Sequence, residues 1–222
     1  EETTTPRMIE DFITNETNIG DRLLQLACGL IQVFRDRYKA DNDNTPQSIK
    51  EVCLILGNEE LKNLICLCTL ENSVFHGSIT DLSVLKEIIY SQMAMALEIS
   101  KKLDYQNKSE LLLCTFSQAV GFILIKRKNN EKFFSIHEKQ KQTNEPINKI
   151  FYSELGFTPS ELTWLFLNVW GMEEAMIESA ICVRYENTPQ LNPQLTAIAH
   201  ISIVLSNHIS GLGLEQNLKF AK

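Results

Sequence analysis

Imidazoles and thiolates are the side chains best suited to holding a metal, moving a proton or attacking a substrate, and this 222-residue chain has few of either. Its four histidines are His76, His137, His200 and His208. None sits in an HExxH or HxxxH pattern or beside an aspartate, the spacings that bring two ligands onto one metal. His200 and His208 fall about two turns apart on one helix, too far to share an ion without further partners. Structural roles are expected for all four. The six cysteines, at 28, 53, 66, 68, 114 and 182, each adjoin Leu, Ile, Ala or Val, the pattern of small core residues. In Cys66-Leu67-Cys68 a helix would turn the two thiols about 200° apart, so they cannot share a metal. No CxxC occurs, which leaves zinc and redox readings without support. Cys182, two residues before Arg184, is the least poor nucleophile candidate, but such a thiol needs a histidine and an electropositive, exposed site. Phosphate-cradling and nucleophile-elbow motifs are missing too; Gly211-Leu212-Gly213 lacks the strand and helix that would give it meaning.

One basic stretch stands out in an acidic chain. Lys126, Arg127, Lys128, Lys132, Lys139 and Lys141 accompany only Glu131 and Glu138. It could hold an acidic partner or a phosphate, against the plainer reading of a solvated loop. Phe133 and Phe134 are too few aromatics for a single-strand stacking platform. The net charge of −7 and pI near 5.2 argue against non-specific binding to nucleic acid or anionic membrane. No signal peptide or transmembrane span is visible; apolar runs are broken well short of the ~18 residues a span requires. Reduced cysteines and these absences suggest a cytoplasmic setting.

The elements that would position any site are helices. At 222 residues the chain is long enough to form a core without staples, and its apolar content of 44% is normal for a globular protein. Segment 21–38 carries Leu23, Leu26, Ala27, Leu30, Ile31 and Phe34 as one stripe. Asn44-Thr45-Pro46 starts a second helix, with Ile49, Val52, Cys53 and Leu56 inward and Gly57 at its end. Asn58-Glu59-Glu60 opens a third, with Leu61, Leu64, Ile65 and Cys68 inside and His76-Gly77 as its stop. A long helix spans Asp81 to about Leu103. Asn107-Lys108-Ser109-Glu110 is a capping box for a helix running through Ile125. The polar stretch 126–146 reads as loop or linker, with a short helix suggested by Phe133, Phe134 and Ile136; 39–46 is a second polar break. Thr158, Pro159 and Glu161 cap another helix, whose Leu162, Leu165, Phe166 and Val169 recur at helical spacing until Gly171. Trp164 and Trp170 are expected in its core; a partly exposed Trp would instead mark a binding surface. Glu173 and Glu174 open the next helix, and Asn192-Pro193 the last. No sustained period-two alternation appears. The chain is therefore read as all-α, about ten helices, with a segment 1–19, a helical domain 20–213 whose two lobes would meet near 104, and a flexible tail 214–222.

These pieces, in this order, resemble the HDOD domain, a helical relative of the HD-domain metal phosphohydrolases. The matching stretches are Leu26-Ala27-Cys28-Gly29, Pro46 to Gly57, Leu61-Lys62-Asn63-Leu64, Val120-Gly121-Phe122-Ile123-Leu124, and Phe157 to Ile181 with Trp170-Gly171. They cover roughly residues 20–210, and their order rather than any one motif carries the likeness. The resemblance implies a compact HD-like bundle and places the His-Asp pair of the HD motif on Gln118-Ala119. It places a later histidine on Pro159 and paired histidines on Arg184-Tyr185. Gln, Ala, Pro and Arg cannot rebuild a dinuclear site. The resemblance thus implies a non-catalytic regulatory module of bacterial signal transduction that acts through a protein partner, with no cofactor, no catalytic residue and no metal ligand. Gln118, Arg184 and Tyr185 would line the vestigial pocket, where Arg184 could grip a small anionic ligand. Lys126, Arg127, Lys128 and Lys132 form a candidate interaction patch. Membrane and nucleic acid are not expected partners. Two alternatives stay open: a diverged phosphohydrolase using His137, His200, His208 and Glu173, and an unrelated helical adaptor.

Overall fold

The computed structural model describes Ile13 and residues 19–34, 46–77, 81–182 and 191–209. Among these no strand occurs, and the fold is all-α as the periodicity predicts. The helices are α1 (Gly20–Val33), α2 (Ile49–Leu56), α3 (Asn58–Phe75), α4 (Ser83–Lys102), α5 (Lys108–Ser117), α6 (Val120–Lys128), α7 (Asn130–Thr143), α8 (Ile147–Leu155), α9 (Pro159–Val169), α10 (Glu174–Cys182) and α11 (Pro193–Ile209). The chain groups into two compact units, Glu1–His76 with Asp104–Leu113, and Gly77–Leu103 with Cys114–Lys222.

In the first unit α1, α2 and α3 pack on one another. Leu23, Ala27, Leu30 and Ile31 of α1, Val52 and Leu56 of α2, and Leu61, Leu64, Leu67 and Cys68 of α3 are buried. The α2 start differs from expectation. Its cap is Ser48, whose Oγ accepts from the Glu51 N–H while the Glu51 carboxylate accepts from the Gln47 N–H. Asn44 and Thr45 lie outside the described residues. Gly57 ends α2 at φ 81°, a conformation open to glycine at little cost. The Arg22 Nε–H donates to the buried Glu71 carboxylate at 3.0 Å, tying α1 to α3. Lys108 is also buried; its Nζ donates to the Tyr105 carbonyl at 2.7 Å and lies 4.3 Å from the Phe34 ring centre.

The second unit is built on three neighbouring pairs: α4 on α11, α6 on α9, and α7 on α8. The segment 126–146, expected to be loop, is almost all helix. Its composition is polar, but Asn129 caps α7 through the Lys132 N–H, and Phe133 and Ile136 are buried with Phe122, Ile125, Ile150 and Phe151. The Phe122 and Phe151 rings meet edge-to-face at 5.6 Å. Ion pairs hold its outer face: Lys132 and Lys139 both reach Glu154 at 2.6 Å, and Lys141 reaches Glu138 at 2.8 Å. The helix predicted to run unbroken through Ile125 is also interrupted. At Gln118-Ala119 the ladder tightens, the Ala119 N–H donating to the Phe116 carbonyl three residues back. The run Lys108–Lys128 is still apolar enough and long enough to cross a membrane, yet 89% of its most apolar window is buried inside the protein.

The capping box before α9 is as predicted. Thr158 Oγ1 accepts from the Glu161 N–H at 3.2 Å, and Glu161 accepts from the Thr158 N–H at 2.7 Å. At the other end Gly171, at φ 67°, donates to Asn168, and the Met172 N–H reaches back to the Leu167 carbonyl, a Schellman stop. Asn192 caps α11 through the Leu195 N–H at 3.2 Å.

Candidate functional site

The tightened turn at Gln118-Ala119 is where the resemblance puts the metal-binding His-Asp pair. Gln118 and Gln92 are both buried. The Gln118 Nε2–H donates to Gln92 Oε1 at 2.9 Å, and the Gln92 Nε2–H donates to Asn207 Oδ1 at 3.0 Å. The result is a directional chain of three neutral amides from the α5–α6 turn through α4 to α11. At the adjoining residues of the same two helices, Ser206 donates to Ser91 at 2.9 Å. Buried amides must find partners or cost free energy on the order of 1–3 kcal/mol each. Here they satisfy one another with no formal charge. Ser117, next to Gln118, is fully buried and its Oγ has no protein partner.

Beside this turn α6 crosses α9 at very close range. The Gly121 N–H donates to Thr163 Oγ1 at 2.9 Å. A Cβ at position 121 would fall 1.8 Å from the Pro159 carbonyl oxygen and 2.9 Å from Thr163 Oγ1. Pro159, aligned with a family histidine, therefore presents backbone to a glycine. This crossing fixes which side of α9 faces inward, with Leu162 and Phe166 of the apolar series half-buried. The buried face is Pro159, Ser160, Thr163 and Leu167; Leu165, Val169 and Trp164 are exposed. At the crossing itself the residues facing Gly121 are Pro159 and Thr163, whose limited size lets the two backbones approach, while Leu167 is buried further along the helix. Trp164 is thus not a core residue, and Trp170 is half-buried, stacked on Phe166 at 5.5 Å.

Arg184 and Tyr185 lie outside the described residues. Of the candidate basic patch, Lys126 is buried with its Nζ 5.4 Å from the Phe134 ring centre, Lys132 is held by Glu154, Arg127 is half-buried and Lys128 exposed. Lys126 and Lys132 are therefore committed to contacts inside the fold. The histidines of the alternative enzymatic reading do not converge. The His137 Nδ1 contacts the Phe133 carbonyl at 2.8 Å and its ring lies against Phe133 and Phe151, while His200 and His208 are on α11. Among the described residues no group of three or more His, Cys, Asp or Glu side chains is placed to hold a metal. All six cysteines are free thiols. Burial pushes Cys182 and Cys28 up, and it pushes Cys68 up to about 12 with help from the nearby Glu71 charge. This is opposite to the activation a nucleophilic thiol requires.

Gln92, Asn207 and Thr163 carry no motif, and Gly121 entered only as part of the Val120 to Leu124 stretch of the resemblance. The one local signal was Gly121 itself, since a glycine inside a helical pattern usually has a packing reason.

No curated protein sequence matches the chain. Solved structures of the same fold do. An HDOD domain protein of unknown function from Geobacter sulfurreducens superposes with a TM-score of 0.69 at 14% identity, over 96% of this chain and 69% of that one. A structure from Shewanella amazonensis SB2B named "Putative phosphohydrolase" gives 0.67 at 12% identity, over 99% and 77%. Another from the same organism, named "Putative metal-dependent phosphohydrolase", gives 0.63 at 13% identity, over 99% and 76%. These likenesses are of fold. The sequence itself matches the HDOD domain family profile over residues 2–186, and the chain belongs to the HDOD domain family.

Proposed function

We propose that this HDOD domain is a non-catalytic regulatory module of bacterial signal transduction, working in the cytoplasm by binding a protein partner or a small anionic ligand. The observation that carries this reading is the Gln118–Gln92–Asn207 chain. Catalysis by a metal phosphohydrolase needs ligands that bind the ion strongly and a bound water of lowered pKa. At this turn the chain offers an amide already committed to another amide, and an alanine with no donor atom. Neutral amides in mutual hydrogen bonds favour a fixed core over an open coordination shell. The free cysteines suit a reducing compartment. Arg184 and Tyr185 remain the candidates for anion contact, on the resemblance alone.

Elemental analysis of protein purified without chelators or a metal-affinity tag tests the reading, together with hydrolysis of bis(p-nitrophenyl) phosphate in added manganese. The expected result is substoichiometric manganese, iron and zinc, with hydrolysis at the blank rate. Stoichiometric metal with turnover would overturn it.

A further inference from the structure

We propose that the outward face of α9 docks a basic amphipathic helix of a partner protein. This rests on the regulatory reading only in supposing that the domain works by contact, and it names the surface and the partner chemistry. Trp164 is 50% exposed, Leu165 52% and Val169 78%, with Phe157 39% exposed just before the helix. They are not scattered singly: Trp164 and Leu165 on one turn and Val169 on the next form a stripe along a single helix. The inward side of that helix is set by the glycine crossing at Gly121, so the stripe cannot roll inward without separating α6 from α9. Exposed aromatic and aliphatic side chains that a fold holds outward mark binding surfaces.

Charge selects the occupant. Between Lys149 and Arg184 the sequence has five glutamates, Glu154, Glu161, Glu173, Glu174 and Glu178, and no Lys, Arg or His. Lys132 and Lys139 hold Glu154, while Glu161 at the start of α9 and Glu173 and Glu174 just past its end are exposed. An apolar stripe between acidic ends fits a helix carrying apolar anchors at i, i+3, i+4 and i+7 flanked by Lys or Arg. A second copy of this chain, with net charge −7 and the same acidic ends, would meet like charge. An anionic membrane would be repelled by the same glutamates.

Both tryptophans of the chain, Trp164 and Trp170, lie on or at the end of α9, so intrinsic emission reports this helix. The test titrates the full chain with a synthetic Leu/Lys amphipathic peptide of about five helical turns. A Leu/Glu peptide of the same pattern is the control. The expected result is a saturable blue shift with the Leu/Lys peptide and none with the Leu/Glu peptide. Leu165→Glu with Val169→Glu should weaken binding at least about tenfold with an unchanged circular dichroism spectrum, because both side chains are exposed. A silent titration, equal response to both peptides or parent-like binding by the double variant would overturn the proposal. So would an emission shift on concentrating the protein alone, which would assign the face to a second copy. Metal content is unaffected by any of these outcomes, so this proposal and the regulatory reading fail separately.

Discussion

Replacing Gly121 by alanine would push a methyl group into the backbone of α9. The added carbon would lie 1.8 Å from the Pro159 carbonyl oxygen and 2.7 Å from its carbonyl carbon. Both are main-chain atoms at the first turn of a capped helix, so no side-chain rotation relieves the clash. The helices must separate. Overpacking of a filled contact costs about 1–3 kcal/mol, and rigid backbone on the receiving side puts this position at about 3. Separation also loses the Gly121 N–H to Thr163 hydroxyl bond of 2.9 Å, about 1 kcal/mol. Alanine's better helix propensity returns about 1 kcal/mol. The net loss is about 3 kcal/mol, a fall in Tm of about 6–12 °C for a domain of this size. Thermal and urea unfolding measure it, with Thr163→Ser as a partner variant that keeps the hydroxyl and should cost far less. An alanine variant as stable as the parent would refute the close crossing, and with it the outward placement of Trp164 and Val169.

Gln118→Leu should destabilise the fold by about 1–3 kcal/mol in urea unfolding, because Gln92 Oε1 loses its donor in a buried setting; a neutral result would show that the amide chain is not formed. Thr158→Ala should cost about 1 kcal/mol through the capping box, read by the same assay. Hydrogen bonds from Lys132 and Lys139 hold the Glu154 carboxyl down to about 2 from its ordinary 4.5. Its contribution to stability is therefore present above about 4.5 and lost as the pH falls toward 2. Carbon-13 titration of Glu154 in the native protein should show the depressed midpoint, and 1 M salt should raise it. Cys68, buried and raised to about 12, should resist alkylation at pH 8 in the native protein and label only on unfolding; fast native labelling would contradict its burial.

Helix punctuation was legible in the sequence because caps and stops act within a few residues. The Thr158–Glu161 box, the glycines at 57 and 171 and the Asn192-Pro193 start are all found where they were read. The α2 cap is Ser48 because several capping residue types crowd that stretch, and Ser48 combines an extended backbone with the side-chain bond to the Glu51 N–H. Segment 126–146 was misread because composition alone weighs its lysines and asparagines as solvated. Its helix depends on Phe133 and Ile136 meeting Phe122, Ile150 and Phe151 from other helices, and on Glu154 gathering two lysines.

The sequence by itself determined an all-α chain, most of its helix limits, and the family, since each follows from local periodicity, capping chemistry and the order of short motifs. Tertiary structure alone decided which way the helices face and what meets at the degenerate site. Hydrophobic spacing showed α9 as an apolar helix and placed Trp164 in its core, but the glycine at 121 admits Pro159 and Thr163 at the crossing, which leaves Trp164, Leu165 and Val169 exposed while Leu167 is buried. Gln118 finds Gln92 and Asn207 at sequence separations where no local pattern can pair them. A helix's bounds are written in neighbouring residues, whereas its buried face is chosen by whichever distant surface can approach it most closely.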